Sequence, residues 1–201
     1  NGEEFPIEMI EYVNLIGLGE EYTIIDAEHT GKVITIIRNE LNNFSGMTIT
    51  GGYAPDDEWP QSIGGGIYCI NSNPIFENVT ITENTSTGDL GRGGGIYFDN
   101  SNPTLLDVTI TNNTAQGIYY YPGGGGIYCW NSSAYLEDVT VTGNSANWGG
   151  GIQCFKNSDA ELINVIINNN TAWDGGGLFI RESNLSLLNL LIDENTAQSS
   201  G

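Results

Sequence analysis

The sequence predicts an all-β solenoid, a single-stranded parallel β-helix of about seven coils with three short strands in each coil. Three observations predict it. First, one phrase recurs five times: Gly64-Gly65-Gly66-Ile67-Tyr68-Cys69, then Gly93-Gly94-Gly95-Ile96-Tyr97-Phe98, then Gly124 to Cys129, Gly149 to Cys154 and Gly175 to Ile180. A repeat of this length cannot bury its apolar face alone and must stack on its neighbours. Second, apolar residues inside each unit alternate with a period of two, the signature of strands, and no segment holds a helical period. Third, an asparagine returns at one position in every unit: Asn84, Asn113, Asn144, Asn170 and Asn195.

The elements follow in order along a single domain, residues 1–201. Residues 1–60 carry the pattern in degraded form. Val13 to Gly17 and Tyr22 to Asp26 read as two strands of one coil, and Val33 to Ile37 with Phe44 to Thr50 supply the next. Residues 61–201 hold five regular coils. Aligned on Ile67, Ile96, Ile127, Ile152 and Leu178, the next apolar column is Phe76, Leu105, Leu136, Leu162 and Leu187. Val79, Val108, Val139, Val165 and Leu190 come after it, then Ile81, Ile110, Val141, Ile167 and Ile192. The first two of these columns lie three residues apart, so a corner is expected between them, at Glu77-Asn78 and its equivalents. The five asparagines form a structural ladder. Asn tolerates left-handed backbone, and its amide can hydrogen-bond along a stack of identical neighbours. Asn71, Asn100, Asn131 and Asn157 are read as a second ladder. The triple glycines permit positive φ and close approach of adjacent coils. At about 4.8 Å per coil the rod is roughly 30–35 Å long.

Composition narrows the function. The 201 residues carry 25 acids against 5 bases, a formal charge of −20. That excludes nucleic acid and anionic membrane surfaces, which require Lys/Arg clusters, and disfavours strongly anionic polysaccharides unless cations bridge them. No apolar run of 18 residues is present, so this segment is not expected to insert into a membrane. Cys69, Cys129 and Cys154 sit at one repeat position and read as small buried hydrophobes; a Cys129–Cys154 bridge between adjacent coils stays open. His29 is the single histidine, and metal-ligand spacing is absent. The chain reads as a segment of a longer protein.

The repeated Asn-Thr/Ser-Ala close followed by Gly-Gly-Gly-Ile-Tyr resembles the repeats of chlamydial polymorphic membrane proteins and related bacterial right-handed β-helix proteins. Those repeats pair a Gly-Gly-Ala-Ile box with a Phe-x-x-Asn box. Here Gly replaces Ala in the first box, and Ile81, Ile110, Val141, Ile167 and Ile192 replace Phe in the second. Val13 to Gly19 and Ile25-Asp26 are similar to the opening coils of pectate-lyase-like helices. The resemblance implies a right-handed coil and an extracellular or cell-surface location. It does not single out an activity, because the group includes adhesins, passenger domains, lyases and hydrolases.

Function is sought where the repeat fails. Between each ladder Asn and the next triple glycine the length varies: Tyr53 to Ile63, Thr85 to Arg92, Thr114 to Pro122, Ser145 to Trp148 and Thr171 to Asp174. Read as loops along one edge of the rod, these segments supply Trp59, Tyr119, Tyr120, Tyr121, Trp148 and Trp173 as candidate ligand-binding residues, since exposed rings stack on sugars. The alternative is that the rings fold over the coil edge as satellite cores. The same segments hold Asp56, Asp57, Glu58, Asp89 and Asp174, the candidates for glycoside hydrolase or lyase chemistry, which needs two carboxylates at defined separation. Asp56, Asp57 and Glu58 also offer the one place for Ca²⁺; no other cofactor is expected. Arg92, Lys156 and Arg181 are the bases of the regular coils, each with a plain alternative as a lone surface charge. A third class follows from Thr48/Thr50, Thr80/Thr82, Thr109/Thr111 and Thr140/Thr142, an outward Thr-x-Thr array that resembles an ice-binding face. Tyr68, Tyr97, Tyr128, Gln153 and Phe179 form a further outward column. The sequence therefore favours a non-catalytic module of an exported bacterial surface protein, an adhesin, spacer or carbohydrate-binding element. Its expected partner is a polysaccharide or surface glycan. The polysaccharide-active enzyme and the ice-binding protein are the alternatives. Neither terminus offers a capping helix, so end-to-end self-association is expected.

Overall fold

The structure, a computed structural model, describes residues 4–39, 42–55, 62–118 and 121–200. All strand pairings are parallel, and no helix occurs among the described residues. The chain winds through three sheets in turn. The first holds Ile7–Glu8, Ile34–Ile37, Ile67–Ile70, Ile96–Asp99, Ile127–Trp130, Ile152–Phe155 and Leu178–Arg181. In register, Ile34, Ile67, Ile96, Ile127, Ile152 and Leu178 stack on one another, as the sequence alignment requires. Six turns are complete. Among the described residues the first turn supplies Ile7–Glu8, Leu15–Ile16 and Ile24–Asp26 but no strand to the third sheet, so the expected count of about seven coils corresponds to six complete turns and a partial one.

The second sheet is bent. Strands such as Ile75–Thr82 and Thr104–Thr111 run through the expected corner without leaving the sheet. The corner is there all the same: Asn78, Asp107, Asp138, Asn164 and Asn189 all take φ near +50° to +56°. One left-handed residue turns the strand while pairing continues on both sides. The two columns expected to belong to separate strands share one strand in Asn43–Thr50, Ile75–Thr82 and Thr104–Thr111, and are separate strands of the same sheet in the last three coils, as in Tyr135–Glu137 and Thr140–Thr142. The third strand of each complete coil lies in the segments read as loops, Tyr53–Ala54, Thr85–Gly88, Thr114–Gly117, Ser145–Trp148 and Thr171–Asp174, and is followed by Thr196–Ser200 in the last coil.

The core runs the length of the rod. Isoleucines and cysteines of the first sheet face Phe44, Phe76, Leu105, Val108, Val141 and Ile167 of the second in one continuous buried cluster. Phe44 and Phe76 stack with ring centroids 4.8 Å apart. Cys69, Cys129 and Cys154 are free and buried, so no bridge joins Cys129 to Cys154, although the two stand in register. The third sheet turns only small residues inward, Ala54, Ser86, Ala115 and Ala172, which narrows the coil on that side.

The asparagine ladder forms as expected. Asn84 Nδ2 donates to Asn113 Oδ1 at 3.0 Å, Asn113 to Asn144 at 3.0 Å, Asn144 to Asn170 at 3.0 Å and Asn170 to Asn195 at 2.9 Å. One expectation is corrected. The left-handed residue is the one before the ladder Asn, namely Glu83, Asn112, Gly143, Asn169 and Glu194; the ladder residue itself is buried and supplies only hydrogen bonds. The second ladder is corrected as well. Asn71, Asn100, Asn131 and Asn157 do take positive φ, and Asn131 bonds Asn100. The continuous ladder, however, is made by the serine that follows each, with Ser183 after Glu182 in the last coil: the hydroxyls of Ser72, Ser101, Ser132, Ser158 and Ser183 accept from the backbone of the preceding coil at 3.0–3.1 Å. Glycine is required where the coils approach most closely. A Cβ on Gly94 would lie 2.4 Å from the carbonyl oxygen of Thr114, and Gly93 sits at φ +61°.

Candidate functional site

The third sheet brings the non-repeating segments into one surface. Each of its strands turns one residue inward and the next outward. Successive coils therefore present Thr87, Gln116, Asn147 and Trp173 at the same outward position. Gly88 and Gly117 pair beside them and leave the floor bare. Ile118 stands 73% exposed at the rim. Together with Ala146 these residues line an open cleft of about 420 Å³. Its polar groups are held in place: the backbone N–H of Gly117 donates to Asn147 Oδ1 at 3.0 Å, and Thr87 Oγ1 bonds the Tyr53 hydroxyl at 3.4 Å. Trp173, one coil beyond Asn147, is 56% exposed.

Of the residues singled out from sequence, Asp56, Asp57, Glu58, Trp59, Tyr119 and Tyr120 lie outside the described residues. Tyr121 and Trp148 meet edge to face at 5.8 Å, at the corner between the third and first sheets, and Tyr121 also stacks on Phe155 at 5.8 Å. Asp174 pairs in register with Trp148, next to Trp173. Asp89 follows the strand Thr85–Gly88, three coils from Asp174, which places the two backbone positions about 14 Å apart along the stack. Glycoside hydrolysis uses carboxyl separations of roughly 5–9.5 Å.

The outer face of the first sheet is a second assembly. Tyr68, Tyr97 and Tyr128 do point out of the coil and stack in a column, with centroids 5.9 and 5.4 Å apart. They are nonetheless buried, under a satellite cluster that includes Ile63, Phe155, Leu90 and Trp130. The column therefore offers no ligand surface of its own. Burial raises the phenol of Tyr128 to about 12. Beside it runs a column of Ile70, Asp99, Trp130, Phe155 and Arg181. The bases that looked like lone charges converge here. Arg92 lies 5.4 Å from the Tyr128 ring and 5.3 Å from Trp130; Lys156 Nζ is 4.9 Å from Trp130; Arg181 is 4.3 Å from Tyr121 and 5.7 Å from Phe155. Burial pushes the Asp99 carboxyl above its ordinary range, and Arg92 and Lys156 pull it back. Sequence reasoning missed this grouping because Arg92, Lys156 and Arg181 are distant in the chain and occupy different repeat positions. A signal existed for part of it: Trp130, Phe155 and Arg181 fall at one position, three residues after the aligned Ile or Leu.

Residues 26–145, more than half of the chain, match the family described as right handed beta helix region. The chain belongs to the right-handed β-helix family. Residues 138–154, which span Asn144 and the fourth triple glycine, match the Chlamydia polymorphic membrane protein repeat. Neither the curated proteins nor the solved structures contain a match. The family fixes the hand of the coil and leaves the chemistry to the surfaces just described.

Two further features of this β-helix bear on function. The Thr-x-Thr pairs stand in register through four coils, Thr48, Thr80, Thr109 and Thr140 in one column, and Ile166 follows them. Glu20 covers one end, accepting from Thr80 Oγ1 at 2.8 Å through its carboxylate and from Thr48 Oγ1 at 2.8 Å through its carbonyl. No group of three or more metal-ligating side chains occurs among the described residues.

Proposed function

We propose that this chain is a non-catalytic β-helix module of an extracellular surface protein that binds neutral carbohydrate along its third sheet. One observation carries the reading: Trp173 projects, 56% exposed, at the end of an outward column of Asn147, Gln116 and Thr87 that lines an open cleft. A sugar presents an apolar ring face and a rim of hydroxyls. The indole supplies a stacking plane for the first, and amides and a hydroxyl at a 4.8 Å repeat supply donors and acceptors for the second. The likeness of residues 138–154 to a polymorphic membrane protein repeat supports a surface location.

A glycan array tests it. The chain is expected to retain neutral oligosaccharides, and Trp173→Ala is expected to lose at least tenfold in affinity, the scale of a lost stacking contact of about 1.4 kcal/mol. Retention that is unchanged in Trp173→Ala, or no retention of any glycan, contradicts the proposal.

A further inference from the structure

We infer that the outer face of the first sheet holds an oxyanion subsite for a sparsely charged glycan, one carrying a single carboxylate or sulfate among neutral sugars. The inference goes beyond the third-sheet cleft and rests on different residues. Five bases serve the whole chain, against 25 acids, and three of them, Arg92, Lys156 and Arg181, stand on this one face over Trp130, Phe155 and Tyr121. Bases scattered only for solubility would not be expected to gather on one patch of an acidic molecule.

The geometry leaves binding capacity. Arg181 holds its guanidinium carbon 4.3 Å from the Tyr121 centroid, and a guanidinium held against a ring still carries N–H donors that can receive a carboxylate or sulfate. Its Nε lies 3.8 Å from Glu182, and no described residue hydrogen-bonds its terminal nitrogens. Lys156 is exposed and near enough to Trp130 to share the same patch. Under the rings, Gln153 stands between Tyr128 and Phe179 in the outward column. It is fully buried, and both its amide oxygen and nitrogen lack a partner; the Tyr128 hydroxyl beside it is in the same state. Unmet buried polar groups are costly and seldom kept without use.

The charge of the whole molecule sets the ligand class. A polyanion would bring each of its charges against a surface of net charge −20, whereas one oxyanion on a neutral chain meets three local bases set against the two carboxylates beside them, Asp99 and Glu182. Continuity supports a saccharide. Tyr121 touches Trp148, the last residue of a third-sheet strand, so the patch adjoins the surface proposed for neutral sugars.

Titration calorimetry tests the subsite with four probes: a neutral oligosaccharide, the same chain ended by one glucuronate, the same chain bearing one sulfate, and polygalacturonate. Either singly charged probe is expected to bind at least about tenfold more tightly than the neutral one, an increment worth one charge-assisted contact. Arg181→Gln with Lys156→Gln should abolish that increment while leaving neutral binding unchanged. Comparison of the carboxylate and sulfate arms assigns the oxyanion. Trp173→Ala should weaken the neutral probe and keep the ratio of charged to neutral, which separates failure here from failure of the third-sheet reading. Equal affinity for charged and neutral probes, an unchanged increment in the double variant, or polygalacturonate as the tightest ligand would overturn the inference.

Discussion

Asn113 shows how much one side chain does in this molecule. It donates to Ile81 O at 2.9 Å and to Asn144 Oδ1 at 3.0 Å, and its own Oδ1 accepts from both the backbone and the side chain of Asn84 at 3.0 Å. All of these groups are buried, and each one stranded costs about 1–3 kcal/mol. Asn113→Ala is therefore expected to destabilise by about 3 kcal/mol or more in urea unfolding. Its exposed neighbour Asn112, held at φ +55°, should tolerate Gly within about 0.5 kcal/mol, since Gly adopts that conformation freely. The ladder was legible because one residue type recurs at one position. The left-handed position was not, because Glu83, Asn112, Gly143, Asn169 and Glu194 share no side-chain chemistry there; their backbone is turned by the ladder that follows. The serine ladder was legible in principle. Ser72, Ser101, Ser132 and Ser158 each follow a repeated Asn, a signal overshadowed by that Asn.

At the scale of the element, the first sheet explains why the phrase Gly-Gly-Gly-Ile recurs. Its inner face buries Ile and Cys, and its outer face buries Tyr, so both sides exclude water. Burial raises Cys69 and Tyr128 to about 12, against ordinary values of 9.0 and 10.0. In the unfolded chain these groups ionise near their ordinary values, whereas the folded chain holds its protons until about pH 12. The stability they contribute is complete below pH 9 and is lost as pH rises from 9 to 12, by at most about 1.4 kcal/mol per pH unit for each group. Urea midpoints measured between pH 8 and pH 11.5 should fall, and Tyr128→Phe should flatten that fall. At pH 8 the same variant should be neutral or slightly stabilising, because the hydroxyl it removes has no partner. The third sheet escaped the sequence for the opposite reason. Its inward residues are Ala54, Ser86, Ala115 and Ala172, too small to write an apolar alternation, and the varying lengths after the strands made the whole segments look like loops.

For the whole molecule, the repeat builds a rod and the departures from it build the surface. The rod was legible coil by coil from columns of one residue type, its third sheet excepted. The surface was legible only in part. Trp148, Trp173 and Tyr121 were singled out as candidates, and the shared repeat position of Trp130, Phe155 and Arg181 was readable, but Arg92 and Lys156 join them only through the winding of the chain. The two faces make different demands on Trp173 and Trp130: Trp173 is proposed to stack on a neutral sugar, whereas Trp130 is already occupied by Arg92 and Lys156. The most direct measurement is a titration followed by the indole N–H resonances, each assigned by a Trp→Phe variant, with the neutral oligosaccharide retained on the array. The resonance of Trp173 should shift progressively and to saturation, that of Trp148 less, and that of Trp130 hardly at all. A saturable shift at Trp130 with Trp173 unmoved would contradict the account.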